Sequence, residues 1–515
     1  MSAERGPHRS TSSRDSIEGA GWGCRQTGSF VKLIPDGGRR RHFSWLDPRL
    51  LWQARRNDLI ARFLSDPTND ERRRWVAAQR ERAQIPDDLI IDRTDLDSAR
   101  FLVLGDTGEG DESQFALVPP LLESGKDTHF MVICSDVIYP AGEVNEYLTK
   151  FYCPYKDYMK PIYALPGNHD WYDGLNGFMV HFCGAEPAVR SPGRNWILRR
   201  LWRRAERVRP EVLKRCRELR PELEGRSKQP GPYFAIDTGP LRIIGIDAGI
   251  NGRLDREQGE WLRRVARNSP KPKILLTGKP IYVDNRYHYD EGSIEDGATR
   301  VDDIVRAAEH NFVAAIGGDI HNYQRYPVRV GDRTIQYIVS GGGGAYMSAT
   351  HRIPRVDVGG VEEVDFRCYP LRGDSLSAYS KVMDRRFFLG LGWAYIAPEE
   401  AAALMGKRLG IDPSRPGDRH ERPRRRKEVV AGLPFLRTLR TGRGRRSLGP
   451  YFYSLLSEVF DWDTPPFFKS FLRLEATESK LTITCYGVTG CAEHEKNPPV
   501  EDHVEIHLDP QGTGA

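Results

Sequence analysis

The chain has 515 residues, 39% of them hydrophobic and 29% charged, with a net charge of +6 at pH 7. This length allows two domains, or one domain with large insertions, and the composition is ordinary for a soluble folded protein. The longest apolar run, Phe387–Ala397, has 11 residues. A helix needs about 20 apolar residues to cross a bilayer, so the sequence argues against a membrane-spanning chain.

The cysteines and the first residues bear on the cellular compartment. The eight cysteines show no Cys-x-x-Cys pair and no regular spacing, which favours reduced thiols in a cytosolic protein. Residues 1–38 are polar and lack the apolar run of a signal peptide. We therefore expect a cytoplasmic protein, with a peripheral association with a membrane left open.

The chain divides into five parts. Composition predicts a disordered tail over residues 1–40, and apolar spacing predicts a helical extension over 41–95. Residues 96–348 alternate strands and helices, which indicates βαβ units and a mainly parallel inner sheet. Residues 349–465 form an excursion of unassigned role with a basic loop, and 466–515 read as closing strands.

Five short polar motifs each follow a hydrophobic run that reads as a buried strand. Each motif therefore lies at the carboxyl end of a strand, where open α/β sheets place their ligands. Their carboxylates, carboxamide, phenol and imidazoles are ligands for hard or borderline metal ions, which predicts a metal site for phosphate-ester chemistry. The motifs are Asp106-Thr107-Gly108, Asp136-Val137-Ile138-Tyr139, Gly167-Asn168-His169-Asp170, Thr277-Gly278-Lys279-Pro280 and Gly318-Asp319-Ile320-His321.

This ordered set (GDTG, SDVIYP, GNHD, TGKP and GGDIHNYQRY) resembles the calcineurin-like metallophosphoesterase superfamily. Its Asp-x-Gly and Asp-x-x-Tyr motifs are most similar to the purple acid phosphatase branch, and the resemblance covers roughly residues 98–348. The resemblance implies an α/β fold, a four-layer α-β-β-α sandwich, here with an N-terminal helical extension and large insertions. It also implies one or two metal ions per chain, divalent or trivalent Fe, Mn or Zn.

The first metal site of the resembled family is intact in this sequence. The resemblance implies that Asp106, Asp136, Tyr139 and His321 hold the first ion. In the same family pattern Asp136 would bridge to a second ion, and Tyr139 would serve as a phenolate ligand.

The second metal site departs from the family pattern. Asn168 matches the expected carboxamide ligand, but Asp319 replaces a usual histidine, which would favour Mn or Fe over Zn. Gly278 stands where another histidine ligand is expected, and Lys279 follows it. We therefore expect a second ion to be weakly held or absent.

Further residues are candidates for contact with the phosphate. His169 would bind phosphate and act as general acid, while the adjacent Asp170 would fix the tautomer of the ring and raise its pKa. Arg325 would line the phosphate pocket with Asn322 and Tyr323, because a guanidinium group suits bidentate contact with phosphate oxygens.

Structural roles are the alternatives for several of these residues. An aspartate after a strand is more often a helix N-cap than a ligand, and a tyrosine such as Tyr139 is commonly packed in the core. Only the joint arrangement favours metal binding. The glycine-rich stretch Ser340–Gly344 lacks the Lys-Ser/Thr of a phosphate loop, so we expect a close-packed turn beneath the site.

Two arginine-rich segments are candidates for contact with anionic partners. A basic helical arm at about 187–230, inserted into the core, carries tryptophan on one face, a pattern typical of helices at anionic membrane surfaces. The favoured alternative is a helix docked on the protein, so we expect only weak membrane contact. The second segment, 422–446, is predicted to be an exposed loop. Its densest basic run lacks interleaved aromatic residues, so we expect no specific nucleic-acid partner.

Together these features predict metal-dependent hydrolysis of a phosphate ester, mono- or diester, by water that the metal activates at a mononuclear or dinuclear site. The alternative is a non-catalytic scaffold that binds metal or phosphate at an anionic membrane surface. The degenerate second site and the basic arm favour this alternative, whereas the His169-Asp170 pair argues against it.

Overall fold

The computed structural model describes residues 25–35, 48–64, 66–83, 85, 87–187, 202, 205–221, 228–288, 292–295, 297, 299–410, 425–433 and 465–508. Its centre is a pair of β-sheets packed face to face. The strands are β1 Ile90–Arg93, β2 Ala99–Leu104, β3 Phe130–Ile133, β4 Ile162–Ala164, β5 Phe234–Thr238, β6 Arg242–Ile246, β7 Arg253–Leu254, β8 Lys273–Thr277, β9 Tyr282–Val283, β10 Arg286–Tyr287, β11 Ser293–Ile294, β12 Phe312–Gly317, β13 Tyr323–Val330, β14 Arg333–Ser340, β15 Arg367–Tyr369, β16 Lys469–Ala476, β17 Lys480–Val488 and β18 Val500–His507.

The two large sheets are mixed, with parallel strands at the positions that carry the motifs. The six-stranded sheet has the order β18-β17-β16-β2-β3-β4, and the eight-stranded sheet has the order β1-β5-β6-β8-β12-β14-β13-β15. Strands β2, β3 and β4 are parallel to one another, as are β6, β8, β12 and β14. Parallel strands bury both faces, which explains the continuous hydrophobic runs in the sequence.

Helices cover the outer faces of both sheets. Side chains of the two inner faces, such as Phe101 and Ile274, share one buried cluster. Helical residues such as Leu117 pack on the outside of the six-stranded sheet, and Trp261 and Ile304 pack on the outside of the eight-stranded sheet. The helices are α1 Pro48–Phe63, α2 Thr68–Ala83, α3 Glu112–Ser124, α4 Cys153–Tyr155, α5 Asn176–Phe182, α6 Pro210–Leu219, α7 Arg256–Arg267, α8 Val301–Arg306, α9 Arg372–Phe387, α10 Pro398–Leu409 and α11 Arg425–Ala431. The predicted α-β-β-α sandwich is confirmed.

Part of the N-terminal segment is ordered, which corrects the prediction of a disordered tail over residues 1–40. A short 3-10 turn at Ser29–Lys32 buries Phe30 against Phe115 and Phe467. The Gly28 amide also donates to the Gly490 carbonyl at 2.9 Å. Residues 1–24 and 36–47 lie outside the described residues.

Two other predictions are modified by the structure. Helix α11 lies where the sequence predicts an exposed loop, because Val430 and Leu433 pack on the cluster formed by α9 and α10. Cys491 is disulfide-bonded, so the prediction that all cysteines are reduced is wrong. The sequence-based expectation of a cytoplasmic protein rested partly on that prediction.

Much of the predicted basic arm lies outside the described residues. Its described part contains helix α6, and Trp202 is buried against the helices outside the six-stranded sheet. Within the described part of the chain, no helix is long and apolar enough to cross a bilayer. Apart from the ordered segment around Phe30, the division into five parts stays a prediction.

Candidate active site

The five motifs meet where the two sheets present the carboxyl ends of their parallel strands. Asp106, Asp136 and the loop that begins at Gly167 follow β2, β3 and β4 of the six-stranded sheet. Gly278 follows β8, and the loop with Asp319 follows β12 of the other sheet. The Ser135 hydroxyl donates to the Gly278 carbonyl at 3.1 Å and joins the two sheets beside the site.

The hydroxyl oxygen of Tyr139 lies at the centre of the predicted first metal site. It is 3.1 Å from Asp106 Oδ1, 3.0 Å from Asp136 Oδ2 and 3.0 Å from His321 Nε2. Nδ1 of His321 lies 2.9 Å from the Tyr346 carbonyl oxygen. Because a carbonyl only accepts, Nδ1 carries a proton, and in the neutral ring Nε2 is an acceptor. A phenol has one proton, so it can donate to only one of these three acceptors.

With both carboxyl groups ionised and the imidazole neutral, the remaining contacts around Tyr139 bring lone pairs of electrons together. Burial raises the pKa of Asp106 well above its usual range, and the charges of Asp136 and Asp319 add to the rise. Burial likewise raises the pKa of Asp136, with further contributions from Asp170 and Asp319. The pKa of Tyr139 is raised by its burial and by the carboxylates of Asp106 and Asp136. Such a cluster of buried acceptors is stabilised by a cation.

Asp106 has two features that are typical of functional positions, and Asp319 shares the first of them. Both have left-handed backbone conformations, with φ of 60° at Asp106 and 66° at Asp319, which is uncommon for residues other than glycine and costs about 1–2 kcal/mol. Asp106 is fully buried, and its Oδ2 has no hydrogen-bond partner among the described residues. The nearby Ser135 hydroxyl is directed to Gly278 instead. A buried carboxylate oxygen without a donor is available to a cation.

The donor set of this first site fits a metal ion. Neighbouring oxygen ligands of an octahedral ion at about 2.1 Å lie about 3.0 Å apart, and the spacings around the Tyr139 hydroxyl are 3.0–3.1 Å. Across the described residues, no group of three His, Cys, Asp or Glu side chains alone could hold an ion.

The structure places the ring of His169 beside the first site. Its ring centroid lies 4.6 Å from that of Tyr139, and its backbone amide donates to Asp136 Oδ1 at 2.8 Å. Nδ1 lies 2.6 Å from the Pro140 carbonyl oxygen, so Nδ1 carries a proton and Nε2 is the nitrogen that can exchange protons with a ligand.

Asp170 does not orient the ring of His169, which corrects the sequence prediction. Its carboxylate accepts from the amides of Val137 at 2.9 Å, Gly167 at 3.0 Å and Ile138 at 3.2 Å. Burial raises the pKa of Asp170 to about 7, and these amide bonds oppose the rise. Asp170 thus ties the second motif to the third, while the Pro140 carbonyl sets the tautomer of His169. Backbone acceptors of this kind leave no signal in side-chain spacing.

The predicted second metal site is incomplete. Asn168 Nδ2 donates to the Tyr172 hydroxyl at 2.8 Å. The Lys279 ammonium lies 3.8 Å from Asp319 Oδ2 and brings a positive charge to this side of the site. A Cβ atom at Gly278 would lie 2.9 Å from the Pro166 carbonyl oxygen. The backbone here is thus too close to accommodate the missing histidine without a shift.

Arg325 is not in the phosphate pocket, which corrects a second prediction. Its Nε donates to Asp502 Oδ2 at 2.6 Å and its Nη2 to Asp502 Oδ1 at 3.2 Å, and both side chains are buried. The Tyr323 hydroxyl donates to the same Asp502 oxygen at 2.8 Å. Tyr323 and Arg325 are two positions apart on β13, so their side chains share one face and both contact Asp502 of β18. Asn322 contacts Ser348 and Gln324.

The glycine-rich stretch after β14 is a close-packed turn, as expected. The Gly343 amide donates to the Gly105 carbonyl at 2.9 Å, and a Cβ at Gly341 would lie 2.6 Å from Asp106 Oδ2. Three further residues contact the site and were not predicted, namely Pro140, Tyr172 and Tyr346. Pro140 is the last residue of the SDVIYP motif, and Tyr172 lies two residues after the GNHD motif. Both could have been predicted from these positions.

Residues 99–323 match the family model described as calcineurin-like phosphoesterase, which confirms the resemblance seen in the motifs. A comparison with curated proteins found no significant match.

Several solved structures are similar to this chain at low identity. A purple acid phosphatase from yellow lupin (Lupinus luteus) seeds has 12% identity and a TM-score of 0.34, over 81% of this chain and 55% of its own. A structure of PhoD has 11% identity and a TM-score of 0.35, over 80% of this chain and 70% of its own. GAP50, described as the anchor in the inner membrane complex of Plasmodium, has 13% identity and a TM-score of 0.32, over 53% of this chain and 80% of its own. The chain thus spans about half of the lupin phosphatase.

Proposed function

Because residues 99–323 match the calcineurin-like phosphoesterase family, we propose that this protein hydrolyses a phosphate ester, mono- or diester, in a metal-dependent reaction. The observation that carries the proposal is the position of the Tyr139 hydroxyl, 3.0–3.1 Å from acceptor atoms of Asp106, Asp136 and His321. Four side chains from three motifs and both sheets converge at one buried point. Fe, Mn or Zn would be held there by these four residues.

The protein groups have separate tasks in this proposal. A bound cation would supply Lewis-acid charge that activates water and neutralises the phosphate. Asp106, Asp136 and His321 hold the site in a fixed geometry, because hydrogen bonds to the backbone orient Asp136 and His321. His169, whose Nδ1 is committed to Pro140, would use Nε2 to contact a phosphate oxygen or to protonate the leaving group.

The proposal is tested by turnover of an aryl phosphate monoester and diester with protein reconstituted with Mn, Fe or Zn. Asp136→Asn removes a charge from the centre of the site, and we expect a loss well beyond tenfold in rate together with reduced metal content by elemental analysis. Asp332→Asn, at an exposed position, is the matched control and should retain both. A loss of no more than about tenfold with Asp136→Asn would contradict the proposal.

A non-catalytic scaffold that binds metal or phosphate at an anionic membrane surface is the second candidate. The contact between Lys279 and Asp319 at 3.8 Å favours it, because an ammonium group already neutralises a carboxylate that a second ion would use. Metal binding by the wild type without turnover of either ester would favour the scaffold. Vesicle binding that is lost when the arm at 188–229 is deleted would assign the membrane contact to that arm.

A further inference from the structure

Five large apolar side chains project from one short surface loop. The segment, residues 387–393, comprises the last residue of α9 and the first part of the connection to α10. Monomeric soluble proteins rarely group so many exposed apolar side chains, and such patches mark interaction surfaces. We call this segment the apolar loop. Its exposed side chains are Phe387 at 57%, Phe388 at 39%, Leu389 at 87%, Leu391 at 68% and Trp393 at 58%.

The backbone of the apolar loop is held in place while its side chains point outward. The buried Asp384 carboxylate accepts from the Gly392 and Ala394 amides, each at 2.7 Å. The Asp384 carbonyl accepts from the Phe388 amide at 2.9 Å and from the Gly390 amide at 3.0 Å. These hydrogen bonds close the base of the turn. The apolar side chains are therefore exposed by an ordered turn and not by an unravelled end of helix α9.

The turn itself uses strained backbone to expose a leucine. Leu389 has φ of 54°, in the left-handed region that disfavours residues with a side chain. A glycine or asparagine would be the usual choice in such a turn on a protein facing only water. Here the most exposed residue of the turn is a leucine, and this cost suggests a use for its side chain.

Basic residues surround the base of the apolar loop. Arg385 and Arg386 precede it and are exposed. Arg426, on α11, lies 4.6 Å from the ring centroid of Trp393 and donates to the Trp393 carbonyl at 2.7 Å. Lys427 donates to the Gly392 carbonyl at 3.2 Å. The nearby carboxylate Glu428 is paired with a lysine, Lys407, at 2.9 Å.

We propose that the apolar loop inserts into the interfacial region of a lipid bilayer that carries anionic headgroups. Tryptophan and leucine side chains partition into that region, and arginine and lysine a few ångströms behind them contact lipid phosphates. A protein partner with an apolar groove would not by itself account for the four basic residues beside the apolar loop. This membrane contact is separate from the arm at 187–230 and independent of the proposed hydrolysis.

The test is co-sedimentation of the full chain with vesicles of phosphatidylcholine alone or of equal parts phosphatidylcholine and phosphatidylserine. We expect binding to the anionic vesicles that weakens as salt is raised. The double variant Leu389→Glu with Leu391→Glu should reduce the partition coefficient at least about tenfold. It removes two apolar side chains and places two negative charges in the loop, which the anionic headgroups repel. Val364→Glu is the matched control, since Val364 is also 68% exposed but lies outside the loop.

Two further measurements separate insertion of the loop from purely electrostatic attachment to the headgroups. Brominated lipids should quench wild-type tryptophan fluorescence more than that of Trp393→Phe, because Trp393 would lie at the headgroup level. Arg385→Gln with Arg386→Gln should weaken binding to anionic vesicles and leave the partition into phosphatidylcholine unchanged. The urea midpoint should be unchanged in all variants, which shows that the fold is intact.

Several results would overturn the inference. One is equal vesicle binding by the wild type and the double glutamate variant, which would leave the arm or another surface as the contact. Another is no binding by the wild type to either kind of vesicle. If the wild type instead self-associates and the double glutamate variant does not, the apolar loop is an interface between copies of the chain.

Discussion

Replacing Arg325 with methionine distinguishes a structural arginine from a phosphate-binding one. Methionine retains much of the volume but removes two charge-assisted hydrogen bonds to Asp502, at 2.6 and 3.2 Å, each worth about 1.5–3 kcal/mol. The carboxylate is then left buried with the Tyr323 hydroxyl as its side-chain donor. Breaking a buried ion pair in this way costs about 3–5 kcal/mol, and we expect that loss of unfolding free energy.

The pH dependence of stability also tests the ion pair between Arg325 and Asp502. Burial would raise the pKa of Asp502, but the hydrogen bond and charge of Arg325 outweigh it and hold that pKa below its usual value. The unfolded state therefore binds a proton at higher pH than the folded state. The stabilisation is present above the unfolded pKa of about 3.9 and is lost as pH falls through the folded pKa. Arg325→Met should lack this loss in acid.

Urea unfolding measures the unfolding free energy that Arg325→Met loses. Turnover of an aryl phosphate tests whether Arg325 contacts phosphate. Arg329→Met on the same strand is exposed and should change stability by less than about 0.5 kcal/mol. Adding Asp502→Leu to Arg325→Met should recover most of the lost stability, because no unpaired charge remains. A rate loss of about 10²–10³-fold with unchanged stability would refute the structural role of Arg325 and indicate that it contacts phosphate.

Three other substitutions test the site and its support. Tyr139→Phe should weaken metal affinity at least about tenfold by calorimetry, and unchanged affinity would exclude the phenol as a ligand. Gly278→His should destabilise the protein by about 1–3 kcal/mol in thermal unfolding, because its Cβ would lie 2.9 Å from Pro166 O, and elemental analysis should find no additional metal. Arg72→Met should cost about 3–5 kcal/mol in urea, because buried Arg72 contacts Asp247 at 2.8 Å. A loss below about 1 kcal/mol would contradict that.

Local signals in the sequence were sufficient to locate the centre of the site. The strand runs are buried on both faces, so they appear as continuous hydrophobic segments, and a polar motif directly after each run marks its carboxyl end. The family resemblance of the motifs implied that Asp106, Asp136, Tyr139 and His321 share one metal site, and the structure brings their polar atoms within a few ångströms of one another. The four-layer sandwich was likewise implied by that resemblance, and the structure confirms it.

Residues with distant partners could not be assigned in this way. Arg325 stands next to the last motif, but its partner Asp502 is 177 positions away, on β18. Asp170 stands next to His169 but binds backbone amides of the preceding loop. Proximity in sequence suggested a role in both cases, and the direction of the side chain decided otherwise.

The sequence by itself determined which residue types follow which strands, because hydrophobic periodicity and motif order are local properties of the chain. Only the tertiary structure decided which polar atoms meet. It directed the carbonyl of Pro140 to His169 and buried Phe30 in a segment predicted to be disordered. It also exposed Leu389 in the longest apolar run. Burial depends on what the rest of the chain packs against each residue, and composition alone does not contain that information.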